Sequence, residues 1–185
     1  SLAAWHPARV RTLSIVSVPH PRPFAAARAD DPDQRQRSSY IAGFKEPPDA
    51  PERAFLDDDA ALLRVALAEA GPEIVAEHVR VLTDPGAMTA AINYYRAWDD
   101  VLDTVDPVAV PTLFVWSTDD VALGRVAAEQ TADFVTGPYR FEVIEGVSHW
   151  IPEVVPDRLG ELVVDHLRGD RAETGTETGT EKLED

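Results

Sequence analysis

Cysteine is absent from the 185 residues, which excludes disulfides, thiolate nucleophiles, Cys-ligated zinc and iron–sulfur clusters together. Lysine is nearly absent too: only Lys45 and Lys182 occur, and arginine supplies the remaining positive charge, the usage expected of a high-GC bacterium. Positive charge is scarce overall, with Lys+Arg 17 against Asp+Glu 33 and a net charge of −16. Such a surface repels phosphate backbones and anionic lipid, so neither nucleic acid nor a membrane is an expected partner. No apolar run approaches the roughly 20 residues of a membrane span. The opening SLAAWHPARV carries neither the basic nor the apolar region of a signal peptide, and a soluble cytoplasmic protein is the expectation. What remains is an ordinary globular composition, 44% hydrophobic and 27% charged, in a chain long enough to bury a sizeable core.

Three short β-branched or aromatic runs read as strands: Val10–Val18, Thr112–Trp116 and Tyr139–Ile144. The first two are apolar enough for burial on both faces, as in parallel sheets. A helical stretch, Leu123–Phe134, separates the last two and makes a strand–helix–strand unit. A further helix, Pro156–Leu167, places Val155, Leu159, Leu162, Val163 and His166 on one face. The middle of the chain reads as all-helical, roughly Asp30 to Asp103. Its segments are Asp57–Ala70, which ends at Gly71-Pro72, then Glu73–Leu82 and Ala87–Trp98. From Gly169 onward, with the ETGTETGT repeat, no apolar periodicity remains and a disordered tail is expected.

The chemistry-bearing residues cluster at strand ends. Thr112–Trp116 runs into Ser117-Thr118-Asp119-Asp120, and Tyr139–Ile144 runs into Glu145-Gly146-Val147-Ser148-His149-Trp150. Open α/β sheets place their sites past the carboxyl ends of strands. A histidine there can act as general base, and a buried carboxylate can hold its tautomer. The order acid-then-histidine matches that of α/β-hydrolases. His6 and His20 lie beside prolines, while His78 and His166 lie on helical stripes. None has a carboxylate or metal partner nearby in sequence, no zinc spacing occurs, and no cofactor or metal is expected.

VPTLFVWSTDD followed by FEVIEGVSHWIPEVVPDRL closely resembles the acid and histidine segments of α/β-hydrolases of the epoxide hydrolase type. LAAWHPARVRTLSIVSVPHPRPF resembles the helix after that family's nucleophile elbow and the strand that follows, and the helical block resembles its cap. The resemblance covers Leu2 to Leu167. It implies an α/β fold: the C-terminal part of an α/β-hydrolase sheet, parallel strands flanked by helices, with an inserted helical cap. The implied divisions are core over 1–29, cap over 30–103, core over 104–168 and tail over 169–185.

The resemblance also implies roles. The acid falls on Asp120, with its neighbour Asp119 as the alternative, and the histidine on His149. Two cap tyrosines that donate to an epoxide oxygen fall on Tyr40, in YIAGF ahead of Pro47, and on Tyr95, in NYYR. Ring opening develops an alkoxide, which two placed phenols can protonate or stabilise. Carboxylate attack makes an ester, which water activated by His149 would hydrolyse. Tyr95 also lies on an apolar helical stripe, so simple packing is its alternative, as it is for Tyr40.

No G-x-S-x-G or G-x-D-x-G occurs in the sequence. The chain therefore reads as the C-terminal half of such a hydrolase. Its sheet, and its nucleophile, would be completed by an N-terminal segment or a second chain. An aspartate there implies epoxide hydrolysis, or dehalogenation with other cap donors; a serine implies an esterase. The tyrosine pair favours an epoxide over an ester as the small-molecule substrate. The rival from another class is a non-catalytic fragment that completes a partner's fold.

Overall fold

The computed structural model describes residues 2–47, 49–98 and 104–174, with side chains described through residue 169. The first strand is shorter than expected: β1 covers Leu13–Val16. The residues ahead of it form α1 (Leu2–Trp5) and a 3-10 turn, Pro7–Arg9. The strand stops at Ser17, whose backbone turns left-handed with φ 63°. Next come α2 (Pro21–Asp30), α3 (Pro32–Arg37) and α4 (Tyr40–Phe44). Helix α2 is unforeseen because PHPRP reads as loop. Prolines are tolerated in a first turn, where N–H groups have no intrahelical partner, and the His20 ring caps that turn by accepting the Arg22 N–H.

Helix α5 (Ala50–Ala66) starts earlier than the expected Asp57 because Asp49 and Glu52 form a capping box, with a proline in the first turn. Its continuity breaks at Asp57–Ala60. Asp58, Asp59 and Ala60 turn left-handed, a conformation that aspartate tolerates better than most residues. Ala68–Ala70 is a 3-10 turn. Then follow α6 (Pro72–Leu82) and α7 (Ala87–Arg96). These helices share a core of Leu63, Leu67, Val75, Val79, Met88 and Ile92. Residues 99–103, the expected end of the block, lie outside the described residues.

Strand β2 (Thr112–Asp119) and strand β3 (Tyr139–Ser148) both outrun their expected ends. Between them the expected single helix is α8 (Arg125–Gln130) followed by a 3-10 turn, Thr131–Phe134. The helix starts late because the Asp120 carboxylate takes the Ala122 and Leu123 N–H groups. After α9 (Ile151–Val154), α10 (Pro156–Thr174) runs past the expected Leu167. The first residues of the expected tail are thus helical, and 175–185 lie outside the described residues.

The sheet is parallel in the order β1–β2–β3. As the middle strand, β2 is buried on both faces, with Leu113, Phe114 and Val115 at 0% exposure. Each such side chain contributes about 1.5–3 kcal/mol. Alternation sends Phe114 and Trp116 toward Phe24, Ile41, Leu123 and Ala127 on one face. Leu113 and Val115 meet Val147, Ile151 and Leu162 on the other. The β2–β3 register then slips: Ser117 faces Ile144, but Asp119 faces Ser148. The two extra β3 residues form a bulge at Gly146, where φ is 68° and the N–H donates to Thr118 Oγ1 at 2.8 Å.

Candidate active site

The end of β2 and the end of β3 bring two side chains together. His149 Nδ1 lies 2.8 Å from Asp120 Oδ2. A carboxylate only accepts, so Nδ1 carries the proton and Nε2 holds the lone pair. Asp120 has no solvent exposure, and its second oxygen accepts the Ala122 and Leu123 N–H groups, both at 2.8 Å. Three donors on two oxygens meet the requirement for burying this group. The imidazole is a quarter exposed, and among the described residues its Nε2 has no hydrogen-bond partner. The arrangement can take a proton from a group placed outside the ring and stabilise the imidazolium that forms. Asp119, the alternative acid, instead accepts from the Thr118 hydroxyl at 3.2 Å on the exposed side.

Both loops are fastened through their backbones. Ser117 Oγ, fully buried, donates to the Ser148 carbonyl at 2.8 Å, and Ser17 Oγ donates to the His149 carbonyl at 3.1 Å. Neither fastening is legible in the sequence, where the only signal is a serine at each of two strand ends. Trp150 sits edge-on to His149, ring centroids 5.3 Å apart, and packs against the helical core.

Tyr40 begins α4 and Tyr95 lies in the last turn of α7, and their rings meet edge to face with centroids 5.9 Å apart. Phe44 touches both rings, at 5.4 and 4.8 Å. Burial pushes the Tyr40 hydroxyl well above the usual phenol range, with the Tyr95 hydroxyl and the Asp120 charge adding to the effect. A phenol held neutral is a hydrogen-bond donor. Next to Tyr95, Arg96 grips the buried Glu52 through two hydrogen bonds of 2.7 and 3.0 Å. That grip holds the Glu52 carboxyl down at about 2.

The other histidines stand apart from this cluster. Burial lowers the His20 pKa, and its ring is occupied in capping α2, contacting the Asp106 carbonyl and stacking on Phe134 at 4.9 Å. His166 lines a cavity of about 250 Å³ with Pro111, Tyr139 and Asp165, at the opposite end of the strands from His149. Among the described residues, no group of three His, Asp or Glu side chains could hold a metal ion, and no helix is long and apolar enough to cross a membrane.

No family model matches the chain. It is 27% identical to epoxide hydrolase 4 of Homo sapiens over 179 residues, 90% of this chain and 49% of that protein. It is 29% identical to the AB hydrolase superfamily protein YfhM of Bacillus subtilis over 178 residues, 89% of this chain and 62% of that protein. Among solved structures, an epoxide hydrolase from Bacillus megaterium superposes with a TM-score of 0.76 at 16% identity, over 90% of this chain and 63% of that one. A structure described as one of the epoxide hydrolases of the α/β-hydrolase superfamily from hot-environment metagenomes gives 0.68 at 23% identity, over 85% and 59%. The chain spans about half to three fifths of the length of these two curated relatives.

Proposed function

We propose that this chain, which has the C-terminal part of the α/β-hydrolase fold and relatives named as epoxide hydrolases, is the acid, base and cap portion of an epoxide hydrolase. The observation that carries the reading is the buried Asp120–His149 pair, 2.8 Å apart, and the two touching phenols Tyr40 and Tyr95 support it. The nucleophile comes from outside these 185 residues, as an N-terminal segment or second chain whose strand lies along β1. Among the described residues β1 pairs with β2 alone, and Leu2, Trp5 and Val18 around it are exposed. Both features suit that arrangement. The helices that carry Tyr40 and Tyr95 are part of the cap: α5, α6 and α7 share a core of their own with Phe44 packed against it, while Ile41 of α4 and Tyr95 also pack into the core on the sheet.

In the proposed reaction a carboxylate oxygen attacks an epoxide carbon, the C–O bond breaks, and Tyr40 or Tyr95 gives its proton to the departing oxygen. His149 Nε2 then takes a proton from water. The resulting hydroxide adds to the ester carbonyl, its remaining proton passes to the departing alkoxide so that the diol leaves with the carboxylate restored, and the imidazolium proton returns through solvent to the tyrosinate. Asp120 holds the Nδ1 proton and stabilises the imidazolium.

The experiment is single-turnover mass spectrometry on the full-length protein carrying His149→Gln, with an aryl epoxide as probe. A covalent adduct at an aspartate outside residues 1–185 is expected to accumulate. Adduct at a serine with an ester probe, and none with the epoxide, would overturn the epoxide reading in favour of an esterase. Halide release from a haloalkane probe without epoxide turnover would overturn it in favour of a dehalogenase. No adduct and no turnover with any of the three would leave the fold-completing fragment as the correct reading.

A further inference from the structure

Resting on the reading of Asp120 as the acid, one further group stands out, and it belongs to the helical side of the molecule. Gln34 on α3 is completely buried. Its Nε2 donates to the Ala122 carbonyl at 2.9 Å and to Ser38 Oγ at 2.9 Å, and its Oε1 accepts the Gly124 N–H at 2.7 Å. Ala122 and Leu123 are the residues whose N–H groups point at Asp120 Oδ1. The Gln34 amide therefore grips the same turn that orients the carboxylate. One helical turn further on, Arg37 donates to the Asp120 carbonyl oxygen while its Nε is held by Asp33 at 2.7 Å. Gly124 lets α3 sit this close: a Cβ there would come within 3.2 Å of both Asp33 Oδ2 and Gln34 Oε1.

A side chain that only filled space between α3 and the sheet would be apolar, because a buried amide is tolerated only when its groups are paired. Here both amide atoms are paired with backbone of the acid turn, which an apolar residue of equal volume could not do. We propose that Gln34 and Arg37 are positioning residues, a brace that sets the direction of the Asp120 carboxylate toward His149. The brace also fixes the acid turn relative to α4, which starts at Tyr40 and is tied in through Ser38. Proton donor and acid–base pair thus keep their spacing through one short stretch of chain.

The test uses the full-length protein with Gln34→Met, which keeps volume and removes all three hydrogen bonds, and Arg37→Leu at the less buried position. Two readouts separate positioning from mere support. One is the low-field proton resonance of His149 Nδ1–H, identified by its loss in His149→Gln. The other is the split between kcat and KM on the epoxide probe. In folded Gln34→Met, the resonance is expected to broaden or vanish and kcat to fall about tenfold to a hundredfold, with KM within about twofold. Arg37→Leu should show the same pattern at about threefold. Should Gln34→Met fail to fold, Gln34→Glu, which keeps the acceptor for Gly124, and Arg37→Leu carry the same two readouts. A folded variant with an unchanged resonance and unchanged kcat overturns the brace. The resonance needs no substrate, so it judges the brace even if Asp120→Asn turns over at the normal rate and the acid reading itself falls.

Discussion

The two halves of the candidate site are built by different means. On the sheet side, Asp120 and His149 sit on loops fastened by hydrogen bonds to backbone groups: Ser117 to Ser148, Ser17 to His149, Gln34 to Ala122 and Gly124. The strand beneath them is buried on both faces. On the helical side, Tyr40 and Tyr95 stand on the ends of short helices and are placed by ring packing against Phe44 and each other. Their charged support is the Arg96–Glu52 pair, next to a helix that breaks at Asp57–Ala60. Hydrogen bonds set angle as well as distance, whereas apolar ring contacts tolerate sliding. The sheet side is thus set by directional hydrogen bonds, and the tyrosine side by ring packing.

That contrast can be broken or sharpened by experiment. The largest effect is expected from Asp120→Asn in the full-length protein. The amide oxygen can still accept the Ala122 and Leu123 N–H groups, but its NH2 then favours the wrong His149 tautomer. Turnover should fall about 10³- to 10⁴-fold with the circular-dichroism spectrum unchanged. Retention of more than a tenth of the rate would remove the sheet side from the chemistry. Next, Tyr40→Phe with Tyr95→Phe keeps the rings and removes both donors. Epoxide opening should drop about 10²- to 10⁴-fold without loss of thermal stability, and an unchanged rate would make the pair a packing cluster only.

A smaller effect, on stability alone, tests the sheet side away from its chemistry. A Cβ on Gly137, just before β3, would meet the Ala109 backbone, with the carbonyl carbon at 2.8 Å and Val110 O at 3.1 Å. Gly137→Ala should cost about 1–3 kcal/mol in denaturant unfolding, since backbone cannot yield as a side chain can. The smallest effect is expected on the helical side, from Glu52→Gln, and it depends on pH. Arg96 holds the Glu52 carboxyl at about 2, against an ordinary 4.5. The pair's stabilisation is therefore complete above about pH 4.5 and is lost as pH falls through about 2. Melting curves should separate the variant from the parent near neutrality and converge toward about pH 2. A gap that stays constant down to that pH would mean the ion pair is not what supports the helix of Tyr95.

Much of this was legible in the residues before any coordinates. The run Thr112–Trp116 announces a strand buried on both faces because every side chain in it is apolar except Thr112, whose hydroxyl is satisfied by the Val110 carbonyl. The stripes of α6 and α7 announce helices because their apolar residues recur at helical spacing and have one face to bury. An acid and a histidine just past consecutive strands announce a site, because parallel sheets expose those ends. Tertiary structure decided most of the rest, where a feature depends on a partner distant in sequence. Which of Asp119 and Asp120 meets His149 depends on the bulge at Gly146, which shifts β3 by two residues against β2. The early start of α5 and the helix begun at Pro21 follow instead from local caps that periodicity does not register. Gln34 reads as one more polar residue in DPDQRQRSSY, and its importance comes from a turn 88 and 90 residues away. A side chain's chemistry is written in the sequence, but what it faces is set only when the chain has packed.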